Sequence, residues 1–203
     1  MPLPTRWRML FGWGLVNILG FGFVGALFHN FPLAYAFSPS LTHFGAFDGG
    51  AALFGFLLGF VPALFIGLMQ WWLLCRLWPL SRWWIVTVSA GIGLQHFLAD
   101  GFPSARDLSL AVLAGSLVTA GWQGWLVRQA GASATKWFGS VLLGWCGGWV
   151  SGLLLLNALD LLHRPWQPGL DFQQHGLLGL VLGAAYSLGT ALLIYRRMMS
   201  PTV

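Results

Sequence analysis

Arg76-Leu77-Trp78-Pro79-Leu80-Ser81-Arg82 is a short break between two apolar runs, one closing on Trp71-Trp72-Leu73-Leu74-Cys75 and the next opening on Trp83-Trp84. So short a connector forces the flanking runs to turn back on each other. A second break of the same kind, Gln129–Thr135, lies between Arg128 and Lys136. Both breaks and both chain ends are basic: Arg6, Arg8, Arg76, Arg82, Arg128, Lys136, Arg196 and Arg197 all fall there. The acidic residues, Asp48, Asp100, Asp107, Asp160 and Asp171, fall at the alternate boundaries, together with His29, His43, His96, His163 and His175. Only Arg106 and Arg164 depart from the pattern. A membrane crossed repeatedly sorts charge in this way, and the positive-inside rule puts the basic breaks and both termini in the cytoplasm.

Composition agrees. Charged residues make up 7% of the chain and hydrophobic ones 57%, against a charged share of about 25% in soluble domains. So few charges cannot cover the surface of a soluble fold of 203 residues. The net charge of +5 is spread singly over several boundaries and is no nucleic-acid footprint. Cys75 and Cys146 lie within apolar runs, with neither a disulfide framework nor a metal-binding spacing between them. The expected fold is therefore all-α. It is a polytopic membrane helix bundle of six transmembrane helices arranged as three helical hairpins, N-in and C-in, forming a single domain over residues 1–203. The spans fall at about 8–30, 48–75, 82–100, 107–128, 135–162 and 174–197, each able to cover ~30 Å of hydrocarbon. The run from Met9 to Phe28 is long for a signal peptide and reads as a retained first helix, despite the small-x-small string Ala34-Tyr35-Ala36. Pro62 is expected to kink the second span. Trp7, Trp71, Trp72, Trp78, Trp83, Trp84, Trp125 and Trp137 are expected to form an aromatic belt at the cytoplasmic interface.

The chain also echoes itself. Odd spans open with a basic residue and then Trp (Arg6-Trp7, Arg82-Trp83, Lys136-Trp137), and even spans close on an aromatic, aliphatic residues and arginine. Gln70 and Gln123 precede the first two closures. Either three hairpins have diverged from one, or every helix ending at this interface selects Trp and Arg independently. The string Gln70-Trp71-Trp72-Leu73-Leu74-Cys75-Arg76, then Pro79, then Trp83-Trp84, resembles bacterial membrane proteins with glycine-rich tandem hairpins. In that group a Q-W-L-x-L-R turn is followed by a Trp pair. The likeness spans the central two-thirds of the chain and implies architecture, not mechanism. The first hairpin lacks a glutamine partner on span one, and the last has no glutamine near its closing arginine, where Gln70 and Gln123 stand in the other two.

Twenty-eight glycines weaken isolated helices, by ~1 kcal/mol each relative to alanine, but let membrane helices approach closely. Gly55 and Gly59, Gly144, Gly148 and Gly152, and Gly176, Gly179 and Gly183 form the stripes. They serve either packing inside the bundle or an external seam for a partner or a flat pigment. Chemistry, if any, is expected on the outer face. His96 with Asp100, Asp160 with His163, and Asp171 with His175 are three or four residues apart, which places each pair on one helix face. Such pairs suit a divalent metal or proton relay, or equally helix capping and interfacial charge. Asp107 is an expected N-cap, and Arg106 and Arg164 expected ion-pair partners of the aspartates.

Asn17, Ser89, Gln95, Ser116, Thr119, Gln123, Ser151, Asn157, Ser187 and Thr190 are expected to bond across helices, and no ionisable residue lies at mid-depth. That counts against a pump or proton-coupled transporter. The leading expectation is a non-catalytic integral membrane subunit, packed among other membrane subunits in the bacterial cytoplasmic membrane and without nucleic-acid partners. The alternatives are a chlorophyll- or carotenoid-binding accessory subunit using His29 or His96, a small-molecule carrier or capture component opening outward, and a metalloenzyme using the outer Asp/His face.

Overall fold

A chain immersed in hydrocarbon must bond its own backbone polar groups, and the helix does so within one segment. The computed structural model describes residues 3–28, 43–44, 47–101, 108–159 and 168–199. Most of them lie in six helices: α1 Leu3–Phe28, α2 Gly49–Leu74, α3 Trp84–Gly101, α4 Leu108–Gln129, α5 Ala134–Ala158 and α6 Pro168–Met199. Five are long and apolar enough to cross a membrane, and the apolar Trp84–Leu98 segment of α3 is shorter. The molecule is a multi-pass membrane helix bundle in contact with the lipid bilayer. Before α2, β1 His43–Phe44 and β2 Phe47–Asp48 pair antiparallel, with His43 in register opposite Asp48. α2 continues through Pro62 as one helix.

The turns that join helices have identifiable causes. Gly131, with φ of 79°, ends the α4 turn in the left-handed region that glycine enters without strain. Its N–H donates to the Arg128 carbonyl at 3.0 Å, and the Ala132 N–H to that of Val127 at 3.0 Å. Ser133 then caps α5, its Oγ accepting from the Lys136 N–H at 3.4 Å. α5 stops at Ala158 with Leu159 as its C-cap, short of the expected 162. α6 opens at Pro168, before the expected 174.

The helices close into a ring. α1 packs on α2, α2 on α3, α3 on α4, α4 on α5, α5 on α6, and α6 returns to α1. The α2–α3 and α6–α1 contacts are the most extensive and α1–α2 the least. The α2–α3 pair, joined at the basic end, and the pair formed by the chain's two end helices therefore pack more extensively than the first hairpin does. Glycine sets these approaches. A Cβ on Gly183 would stand 2.8 Å from the Ile18 Cα, one on Gly144 2.7 Å from the Tyr186 Cα, and one on Gly148 2.9 Å from the Leu182 Cα. Gly179 lies against the Phe21 backbone, Gly176 against Ala26, Gly152 against Leu178, and Gly59 against His96 and the Ile92 carbonyl; Gly55 is buried on the same α2 face. The expected stripes thus serve contacts within this chain.

The ring is filled. Trp13, Trp84, Trp137, Trp145 and Tyr186 are its largest buried side chains. Phe21 of α1 meets Trp145 of α5 edge-on at 5.3 Å, and Trp84 of α3 meets Trp137 of α5 at 5.4 Å. Neither helix pair is adjacent in the ring, so these rings meet across its centre. Outward, Trp7, Phe11, Leu15, Leu19 and Phe23 form one exposed stripe on α1, and Leu53, Leu57, Val61, Phe65 and Trp72 form another on α2. Such apolar exposure is stable in lipid and not in water.

Two expectations need correction. The aromatic belt divides: Trp7, Trp72, Trp83 and Trp125 face outward, Trp71 is half-buried, and Trp78, Trp84 and Trp137 are core residues. The polar residues divide as well. Ser89, Ser116 and Ser187 donate to carbonyls of their own helices, which satisfies the hydroxyls without joining helices, while Ser151 and Asn157 are exposed.

Candidate functional site

The polar groups in the ring form a lock toward its basic end, to which all six helices contribute. Trp84 Nε1 at the start of α3 donates to Gln70 Oε1 on α2 at 3.2 Å. Gln70 Nε2 donates to Asn17 Oδ1 on α1, and Asn17 Nδ2 to the Trp13 carbonyl at 2.7 Å. One step round the ring, Trp137 Nε1 on α5 donates to Gln123 Oε1 on α4, again at 3.2 Å. Gln123 Oε1 also accepts from Tyr186 Oη on α6 at 2.9 Å, while its Nε2 donates to Thr87 Oγ1 on α3 at 3.3 Å. Trp13 Nε1 completes the circuit by donating to Thr190 Oγ1 on α6 at 2.9 Å.

Each junction at the basic end therefore has one form: an indole N–H on an odd helix bonded to a polar acceptor on the preceding even helix. The Trp–Gln separation is 14 residues in both complete cases. At the closing junction Thr190 stands six residues before Arg196, as Gln70 stands six before Arg76. Threonine there stands where the other two junctions have glutamine. The pairing of tryptophan with glutamine was hidden in the sequence, where each residue type had a sufficient separate explanation at the interface.

This arrangement holds helices together and does not suit proton or metal chemistry. No carboxylate, imidazole or amine takes part, and each side chain in the circuit has its partner. Gln95 adds an α3–α4 link by donating to the Val112 carbonyl at 3.4 Å, and Thr119 a weaker one to the Thr87 carbonyl at 3.5 Å. Among the described residues, the indole N–H groups of Trp78 and Trp145 are buried without an acceptor.

The outer Asp/His face is described only in part. His29, Asp107, Asp160, His163, Arg106 and Arg164 lie outside the described residues, as do the side chains of His43, Asp48, Asp100, Asp171 and His175. The backbone keeps Asp171 and His175 one turn apart on α6, and His96 and Asp100 one turn apart on α3. The described part of α5 ends at Ala158 with Leu159 as its cap, before Asp160 and His163 in the sequence. His96 is half-buried, its ring packed on Gly59 at the α2–α3 contact. Among the described residues no three of His, Cys, Asp and Glu converge on a metal position. Comparison with protein-family models, curated proteins and solved structures returned no match.

Proposed function

We propose that this chain is a non-catalytic integral membrane subunit that packs laterally within a larger complex of the bacterial cytoplasmic membrane. The observation carrying this reading is the filled ring, whose circuit of hydrogen bonds ties its polar side chains to one another. A ring closed in this way acts through its wall. The wall offers a place on α5, where Gly147 and Ser151 are exposed one turn apart and nothing stands within 4 Å of a Cβ on Gly147. Small residues four apart on a lipid-facing helix allow another helix to approach closely. The inward stripe of Gly144, Gly148 and Gly152 is occupied by α6, so the seam expected there moves to this adjacent face.

The three like junctions also support reading the hairpins as diverged copies of one unit, with the closing junction the most altered.

Purification from native membranes in mild detergent tests the subunit reading. The wild-type chain is expected to elute with stoichiometric companions. Gly147→Leu is expected to keep its thermal midpoint and lose them. A wild-type protein that elutes alone contradicts the proposal.

A further inference from the structure

We draw no further inference here: the strongest candidate, the lipid-facing patch on α5 where Gly147 and Ser151 leave a notch between Leu143 and Leu154, belongs to the docking face already described, and nothing in the structure shows what covers it.

Discussion

Gln123 is the residue on which most of the lock converges. It accepts from Trp137 and Tyr186 and donates to Thr87, so it joins α4 to α3, α5 and α6. Gln123→Leu conserves approximate volume but leaves an indole and a phenol without acceptors. Interhelical bonds in membranes average about 0.6 kcal/mol each, and orphaned donors add to that. The expected loss is about 2 kcal/mol in reversible unfolding from mixed micelles. Ser187→Ala removes only a bond to its own helix, at Gly183, and is expected to change stability by less than about 0.5 kcal/mol. The closing junction is open to a double-mutant cycle. Trp13→Phe and Thr190→Val should couple by roughly 1 kcal/mol, whereas Trp13→Phe and Ser116→Ala should be additive.

Among the elements, glycines of similar appearance have opposite roles. Gly183 of α6 faces the α1 backbone at Ile18, whereas Gly121 of α4 faces open space. Gly183→Ala must push two backbones apart and is expected to cost roughly 1–3 kcal/mol. Gly121→Ala relieves only helix propensity and is expected to stabilise by up to about 1 kcal/mol. The same unfolding measurement decides both. This contrast also marks how far the sequence could be read. Helix number, order and approximate ends were legible because arginines and aspartates mark alternate boundaries, which a membrane sorts irrespective of packing. Which way a residue faces was not. In a bundle where lipid and core are equally apolar, hydrophobic periodicity loses its contrast. Trp83 is 59% exposed and Trp84 fully buried, although the two are adjacent in one Arg-Trp-Trp string. Gln70 and Gln123 were visible as repeated letters, but the Trp partners 14 residues on required the fold. The outer Asp/His pairs were legible as spacings only, and Asp160 and His163 lie outside the described residues.

At the scale of the whole molecule, the account rests on ring closure. The α6–α1 contact joins the two ends of the chain, with Trp13, Thr190 and the close approaches of Gly176, Gly179 and Gly183 in one interface. It turns a row of helices into a closed, filled body, which is why the proposed function is placed on its wall. The most direct measurement is disulfide trapping in native membranes. A Cβ on Gly176 would lie 3.4 Å from that of Ala26, close to the usual spacing of a disulfide-bonded pair. With Cys75 and Cys146 replaced by serine, Ala26→Cys/Gly176→Cys is expected to cross-link within one chain under mild oxidation. The shift should appear without higher oligomers, and Leu15→Cys/Gly176→Cys should not produce it. Failure of the Ala26–Gly176 pair to cross-link in folded protein would contradict the closed ring.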